Sequence, residues 1–314
     1  MGRQVIALSV AILLAFAFCC GVSLADELPR VTTSPFSDVP DDHPNARDFA
    51  LLQVLGIFEG YGDGRVEPDE PLERAQFAKV AVCLLNRGDQ VEATNDRTPD
   101  FLDVDQIAPV WWGWINVAHS TGLIRGYEDG TFRHSAKITL AEAATVLLRV
   151  AGYDPFLEGL SYPDDYVALA EELGLTRGVE LEPYVPVTRA EMAAMAVNAL
   201  QLNPPDASGL PAADRISGYR ENLLESRDER LEGFVSDVTP DELTIDGRPH
   251  PIASTVYLFG ADSLEPLPGQ WVVAYERPSG EVGFVEAAAG STRLAGVLED
   301  VDTESFRLRV GDRW

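Results

Sequence analysis

Hydrophobic residues recur at helical spacing through the first two thirds of the chain. Residues 46–55 and 112–119 each place apolar side chains three positions apart, and this periodicity predicts helices with one apolar face. The runs at 143–148 and 192–197 are apolar around most of their circumference, which is typical of buried helices. We therefore predict helix–loop–helix units whose second helices lie inside.

From Leu231 onward the pattern changes to short apolar runs separated by turn residues. Asp246-Gly247 and Ser279-Gly280 are two such turns, and both favour hairpins. The apolar runs are Phe234-Val235, Leu243-Thr244-Ile245, Thr255-Val256-Tyr257-Leu258, Trp271-Val272-Val273-Ala274-Tyr275 and Val282-Gly283-Phe284-Val285. They predict a small barrel of five or so strands.

The two patterns together predict an α+β multidomain protein. An all-α unit of three helix–loop–helix copies, with a central bundle of second helices, is followed by a small all-β barrel-like module. The expected boundaries are copy one at 36–90, copy two at 101–153, copy three at 160–203, a linker at 204–230 and the β module at 231–292.

The three copies are visible as an internal repeat. Phe36-Ser37-Asp38-Val39 recurs as Phe101-Leu102-Asp103-Val104, and the loop at 60–64, with the sequence Gly-Tyr-Gly-Asp-Gly, recurs as Gly-Tyr-Glu-Asp-Gly at 126–130. The block at 71–76 recurs at 137–142, and all these blocks share an offset of 65 or 66 residues. Copy three keeps the last block as Val187-Thr188-Arg189-Ala190-Glu191 but lacks the Gly-Tyr loop.

The pattern Phe-x-Asp-Val, Gly-Tyr-x-Asp-Gly and Thr-Arg-Ala-Glu resembles the S-layer homology (SLH) domain, for which three tandem copies are usual. The resemblance covers about residues 36–200. It implies a protein held at the bacterial cell surface or in its S-layer. It also implies that the copies bind secondary cell wall polymer, often pyruvylated, in grooves between them, and that the motif arginine contacts the anionic sugar.

Threonine and glutamate of the motif have a structural explanation. Thr188 with Glu191, and Thr139 with Glu142, are spaced as capping boxes, in which each side chain accepts a bond from the backbone N–H of the other residue. The arginine is different, because a cation in the first helical turn opposes the helix dipole by about 0.3–1 kcal/mol. We therefore expect Arg189 to bind either an anionic ligand or a structural carboxylate partner.

Arg74 and Arg189 match the family's arginine, whose planar fork can engage a carboxylate with two parallel hydrogen bonds. Backbone amides at the helix N-terminus would add to such an anion site. Leu140 takes the arginine's place in copy two and cannot bind an anion. At most two of the three grooves are therefore expected to keep the full site.

Further candidate ligand contacts are Asp38, Asp103, Gly60 and Gly126. The two aspartates can equally form an Asx turn or an N-cap before the first helix, and a turn alone would explain the glycines. Of the three tryptophans at 111, 112 and 114, we expect one to be exposed, where it could stack on a sugar ring, and two to lie in the core.

Residues 1–25 have a basic start, an apolar run and the small-residue end Ser23-Leu24-Ala25, which is the layout of a cleaved secretory signal peptide. An uncleaved anchor is the alternative, although the apolar run is short for a bilayer span of about 20 residues. A lipoprotein is disfavoured because Phe18 and Cys19 stand before Cys20. Cleavage leaves Cys83, expected to be a small buried hydrophobe.

The formal net charge of -27 opposes binding to nucleic acid and to anionic membranes, so we expect neither as a partner. An anionic polysaccharide would have to be held by a few local cations.

No cofactor is expected. A calcium loop at Asp63-Gly64 is rejected because the residues ahead of the glycine lack the alternating oxygen ligands of an EF-hand, and calcium elsewhere on the acidic surface stays open.

These observations favour a secreted, non-catalytic wall anchor. One alternative is an S-layer subunit that associates with itself. The other is the tethering part of a longer exported enzyme, although 204–314 holds one histidine, His250, and no nucleophile or metal motif. Leu231–Val238 recurs 63 residues later, so we interpret 293–314 as either a final hairpin or a truncated second β module.

Overall fold

The structure is a computed structural model that describes residues 27–180, 182–205, 222–288, 297–301 and 306–309. The signal peptide predicted at 1–25, and the part of the predicted linker between 206 and 221, lie outside the described residues. No helix in the described ranges is long and apolar enough to cross a membrane.

Seven α-helices are found in the described residues, and all of them precede the barrel. They are α1 (Ala46–Val54), α2 (Arg74–Leu84), α3 (Gly88–Glu92), α4 (Trp112–Ser120), α5 (Leu140–Val150), α6 (Asp164–Glu172) and α7 (Arg189–Gln201). The pairs α1 and α2, α4 and α5, and α6 and α7 are the helix–loop–helix units of copies one, two and three. The second helices α2, α5 and α7 contact one another in all three pairings.

Capping boxes begin all three second helices. Those of α5 and α7 are formed by the threonine and glutamate of the motif, as predicted. In copy one, Glu73 and Gln76 form the equivalent box at the start of α2. Each second helix therefore starts at the motif position that carries Arg74, Leu140 or Arg189.

A ring of three backbone hydrogen bonds lies just ahead of the second helices. The N–H of Leu72 donates to the Val187 carbonyl, that of Val187 to the Ile138 carbonyl, and that of Ile138 to the Leu72 carbonyl, each at 3.0 Å. All three side chains are buried. Each copy thus gives one donor and one acceptor, and the three copies follow one another around the ring.

The barrel is built from β2 (Arg230–Val238), β3 (Glu242–Ile245), β4 (Arg248–Phe259), β5 (Trp271–Glu276) and β6 (Val282–Ala287). It closes because the first part of β4 pairs with β3 and the later part pairs with β6. The predicted five-stranded barrel is confirmed. One further strand was not predicted: β1 (Arg30–Thr32), ahead of copy one, pairs in parallel with β4.

A separate hairpin follows the barrel. Its strands β7 (Val297–Val301) and β8 (Phe306–Arg309) pair with each other in a sheet of their own. The barrel closes through the pairing of β4 with β6, so the hairpin supplies no strand to it.

The barrel packs directly against copy one. Tyr275 and Phe284 belong to the same apolar cluster as the helices. Arg47 on α1 donates two hydrogen bonds to the Glu286 carboxylate on β6, at 2.8 and 2.6 Å.

Cys83 near the end of α2 is half-buried against the apolar cluster of the helices, and burial raises the pKa of its thiol to about 11.

Candidate functional site

Each second helix begins against a segment of the next copy around the ring. Arg189 of copy three lies against the loop of copy one, and Arg74 of copy one lies against the loop of copy two. Leu140 of copy two donates its N–H to the Val185 carbonyl of copy three at 3.0 Å. We call these places the first groove (Arg189), the second groove (Arg74) and the third groove (Leu140).

In the first groove the guanidinium of Arg189 meets carbonyl oxygens and aromatic faces. Its Cζ lies 4.8 Å from the ring centroid of Phe58 and 5.1 Å from that of Tyr61. Nε donates to the Val66 carbonyl at 2.5 Å, and Nη2 donates to the Glu59 carbonyl at 3.0 Å. The residue is 4% exposed, and burial lowers its pKa. Arg189 therefore holds copies three and one together.

A cavity of about 220 Å³ opens beside this arginine, and the residues that line it include Tyr61, Gln76, Lys79, Trp111 and Arg189. Nζ of Lys79 lies 2.6 Å from Oε2 of Glu59 and 5.3 Å from the ring centroid of Trp114. The side chains of Lys79 and Glu59 are 23% and 64% exposed. Lys79 is therefore the cation of this cavity that solvent reaches more easily.

In the second groove the position opposite the arginine is occupied by a carboxylate. Nη1 of Arg74 lies 3.3 Å from Oε1 of Glu142, and the hydroxyl of Tyr127 donates to the same oxygen at 2.7 Å. Cζ of Arg74 is 4.6 Å from the Tyr127 ring centroid. Burial first, and then the bond to Glu142, raise the pKa of Tyr127 to about 12. Nε of Arg74 is buried and has no hydrogen-bond partner among the described residues.

The third groove has neither the motif arginine nor the Gly-Tyr loop. Leu140 replaces the arginine and is 1% exposed, and copy three, which faces it, lacks the Gly-Tyr loop. Leu140 and the segment that replaces the loop belong to different copies, and the order of the copies around the ring brings them together. Two grooves thus combine an arginine with an aromatic loop, and the third has lost both.

The aspartates of the Phe-x-Asp-Val motif make long-range bonds. Asp103 accepts from the backbone N–H groups of Phe132 and Arg133, both at 2.8 Å. Asp38 accepts from the N–H groups of residues 66–67, at 3.0 and 2.7 Å. The expected local cap or Asx turn is wrong, because each carboxylate binds the end of its own copy's loop, 28 to 30 residues later.

The motif glycines are required by close packing. A Cβ on Gly60 would lie 2.6 Å from Cε1 of Phe36, and a Cβ on Gly126 would lie 2.6 Å from Cε1 of Phe101. Gly126 also has a φ of +76°, which disfavours other residues. These contacts account for both glycines without a ligand.

The helix amides are also already bonded. The N–H groups of Arg189 and Ala190 donate to the carbonyls of Glu70 and Pro68, both at 2.9 Å, and the first two amides of α2 and α5 donate to the neighbouring copy in the same way. The expected contribution of these amides to an anion site is therefore wrong.

The three tryptophans at 111, 112 and 114 are all half-buried, so the expected division into one exposed and two core residues is wrong. Trp112 donates its ring N–H to the Ile107 carbonyl at 3.0 Å, whereas Trp111 lines the cavity of the first groove.

The described residues contain no cluster of three or more His, Cys, Asp or Glu side chains that could hold a metal ion.

Lys79 and Gln76 were not identified from the sequence. Comparison of the copies conceals Lys79, because Thr145 and Ala194 stand at the equivalent positions. The one available signal was its position five residues after Arg74 on a helix whose other residues are mostly apolar.

Comparison with known proteins matches residues 35–78 and 100–144 to the S-layer homology domain. The chain is similar to a cell surface protein of Thermoanaerobacter kivui, at 33% identity over 172 residues, which cover 54% of this chain and 22% of that protein. It is also similar to the middle cell wall protein of Brevibacillus brevis, at 29% identity over 58% of this chain and 16% of that protein. A third relative is the cellulosome-anchoring protein of Acetivibrio thermocellus, at 30% identity over 42% of this chain and 30% of that protein. The chain spans less than a third of the length of each relative, and the S-layer homology domain is shown at copies one and two.

Proposed function

We propose that this protein is a non-catalytic cell-surface anchor that binds an anionic, pyruvylated secondary cell wall polymer in its first and second grooves. We also propose that copy three is a third S-layer homology domain. The domain match and the surface proteins among the relatives support a location at the cell surface. The observation that carries the proposal is a cavity lined by Lys79 and Arg189 in a chain of net charge -27.

The first groove is the better site for an anion. Lys79 is partly exposed, and its partner Glu59 is more than half exposed. An ion pair between exposed groups contributes at most about 1 kcal/mol, so an incoming carboxylate can replace Glu59 at low cost. Arg189 adds its positive charge from the wall of the cavity, and Trp111 offers an aromatic face to a sugar ring.

The second groove is expected to bind more weakly. The carboxylate of Glu142 already lies opposite Arg74 and would have to move or to share the guanidinium with the ligand. Nε of Arg74 has no hydrogen-bond partner among the described residues, but it is buried and therefore offers an anion no accessible donor.

The assignment of copy three rests on its arrangement around the ring. Its second helix has the same capping box as that of copy two, and Val187 is bonded to both other copies. An S-layer subunit and the tether of a longer exported enzyme remain alternatives for the whole protein. Both would use the same grooves for attachment.

A sedimentation experiment with purified peptidoglycan sacculi tests the proposal. The chain from Asp26 onward should pellet with native sacculi and remain in solution with sacculi stripped of wall polymer by hydrofluoric acid. Undiminished binding to stripped sacculi would overturn polymer binding. Mild acid treatment that removes only the pyruvate ketals should weaken binding, and an unchanged affinity would overturn the role of pyruvate.

Variants identify the grooves that bind. Arg74→Ala and Arg189→Ala should each weaken binding. Leu140→Ala should leave the affinity unchanged but lower the stability, because Leu140 is buried. Because both arginines are buried, their thermal unfolding must be measured alongside. Lys79→Gln changes a partly exposed residue and provides the variant whose fold is expected to be intact.

A further inference from the structure

The hairpin of β7 and β8 repeats the backbone pairing of β2 and β3. Each hairpin has one register shift, and all three residue pairs of β2 with β3 recur 63 residues later in β7 and β8. The pairs of the first hairpin are Val235 with Ile245, Asp237 with Thr244 and Val238 with Leu243, and the recurring pairs are Leu298 with Leu308, Asp300 with Arg307 and Val301 with Phe306. In both hairpins the shift skips one residue, between the first pair and the second.

The shared register identifies the two hairpins as the same structural unit. A slip of one residue would turn every side chain of a strand to the other face of the sheet, and an extra residue in one strand is a position-specific feature rather than a defect. The glycine of the repeat also has a structural reason. A Cβ on Gly233 would lie 2.7 Å from Cγ2 of Ile245, and the sequence has Gly296 at the equivalent position. The strands β7 and β8 therefore repeat the start of the barrel.

In the barrel this unit is bonded along both of its outer edges. The strand β5 pairs with β2, and β4 pairs with β3. Val235 takes part in the first of these edges, because its N–H donates to the Gln270 carbonyl at 2.9 Å and its carbonyl accepts from the Gly269 N–H at 2.7 Å. Among the described strands, β7 and β8 pair with each other alone. The second hairpin thus presents the same two edges without the strands that cover them in the barrel.

These edges require a partner that the neighbouring barrel does not supply. A hairpin of two strands is marginally stable on its own, and a strand edge with free backbone groups pairs readily with another strand. The barrel of the same chain is closed, since its β4 and β5 are already bonded to β3 and β2. The equivalence of the hairpins shows which strands fit, namely one like β5 along β7 and one like β4 along β8.

We propose that β7 and β8 are the first hairpin of a second barrel and bind a three-stranded partner equivalent to β4, β5 and β6. The proposal goes beyond anchoring, because it assigns the hairpin an interaction surface and makes the β module a repeating unit. Leu298 stands at the position of Val235. Its backbone N–H and carbonyl groups would therefore bond to the incoming strand that takes the place of β5.

The test supplies the partner strands as a synthetic peptide of residues 248–288, which contains β4, β5 and β6. The peptide is added to the chain from Asp26 onward, and hydrogen exchange is followed by mass spectrometry. Amides of β7 and β8 should exchange at least about tenfold more slowly with the peptide, because edge amides gain a bonded neighbour. A second form of the test joins residues 248–288 to Trp314 through a Gly-Ser linker and should give the same protection. Unchanged exchange of the hairpin in both forms would overturn the proposal.

Variants of Leu298 test the edge itself. Leu298→Pro removes the N–H that the equivalence with Val235 directs at the incoming strand, so the protection by the peptide should be lost. The hairpin should survive, because proline is tolerated on an edge strand whose N–H faces solvent, and exchange of β8 without peptide should match the wild type. Leu298→Ala keeps the N–H and should keep the protection. Equal protection of both variants would contradict strand addition at this edge.

A shortened chain of residues 26–290 provides the remaining control, because it keeps the closed barrel and lacks the hairpin. It should not protect the amides of the added peptide, whereas the chain that extends to Trp314 should. Equal protection of the peptide by both chains would show that it exchanges into the first barrel, and would overturn the assignment of the hairpin. None of these measurements uses sacculi, so this proposal and polymer anchoring are tested separately.

Discussion

Arg74 of copy one forms an ion pair with Glu142 of copy two, with 3.3 Å between Nη1 and Oε1. Oε2 of the same glutamate accepts from the backbone N–H of Thr139 at 3.0 Å. One carboxylate therefore caps its own helix and holds the neighbouring copy against it. Of the two partners considered for the motif arginine, a structural carboxylate is present in the second groove.

Glu142→Gln should destabilise the protein by about 3 kcal/mol, because it leaves a buried guanidinium without its counter-charge. The side chain of Arg74 is 7% exposed, so water cannot replace the lost partner. Denaturation with urea, followed by circular dichroism, measures the loss.

Glu191→Gln is the matched control for this change. Glu191 accepts the equivalent capping bond from the Thr188 N–H at 2.7 Å. A glutamine can keep this bond, as Gln76 does at the start of α2, so the variant should lose less than about 1 kcal/mol. The difference between the two variants isolates the contribution of the ion pair. Equal destabilisation by both would contradict a stabilising role for the Arg74–Glu142 pair.

Asp103→Ala should destabilise copy two by about 3 kcal/mol, since two backbone N–H groups lose a charged acceptor. Asp103→Asn keeps one acceptor and should lose about half as much. Leu102→Ala, next to it and 80% exposed, should change the free energy of unfolding by less than about 0.5 kcal/mol. A stable Asp103→Ala protein that no longer binds sacculi would instead favour sugar contact by this residue.

Helix starts could be predicted because their determinants are local. The capping boxes of Thr139 and Thr188 lie within four residues, so their spacing is visible in the sequence, and both are present in the structure. The five strands of the barrel were visible for the same reason, as apolar runs bounded by turns. The strand β1 was missed because its three residues are too few to show alternation.

The composition of the grooves could not be predicted, because it depends on the order of the copies around the ring. The sequence shows a complete motif without a loop in copy three and a complete loop without an arginine in copy two. Only the contacts of Arg189 with Tyr61, and of Arg74 with Tyr127, show that each arginine uses the loop of the next copy. The hydrogen bonds of Asp103 could not be predicted either, because the backbone N–H groups that it binds lie 29 and 30 residues later in the sequence.

Tyr127 should ionise near pH 12, because burial and its bond to Glu142 raise its pKa from 10.0 to about 12. A raised pKa in the folded state means that the stability gained from the protonated hydroxyl is fully present below pH 10 and is lost as the pH rises through 12. An ultraviolet absorbance titration of the wild type, from which that of Tyr127→Phe is subtracted, gives the curve of this residue alone.

In Glu142→Gln the same curve should move to lower pH, because the negative acceptor that favours the protonated hydroxyl is gone. A Tyr127 transition near pH 10 in the wild type would show that its hydroxyl is solvated and unbonded. Such a result would contradict the geometry of the second groove.

Lys79 should govern the affinity for an anionic polymer in the first groove. Lys79→Gln should weaken binding to native sacculi about tenfold, because the accessible cation of the cavity is lost. Glu59→Gln should strengthen binding by up to about fivefold, since the ligand no longer competes with an ion pair of at most about 1 kcal/mol. Sedimentation at increasing salt should reduce both effects as the charges are screened.

Lys137→Gln is the control, because it removes the same charge from a lysine that pairs with Glu73 at 3.2 Å and does not line the cavity. Its affinity for sacculi should stay within about twofold of the wild type, as expected for an exposed charge away from the ligand. If Lys79→Gln and Lys137→Gln weakened binding equally, the net charge of the chain rather than the cavity would control attraction of the polymer. The first groove would then lose its assignment as the main binding site.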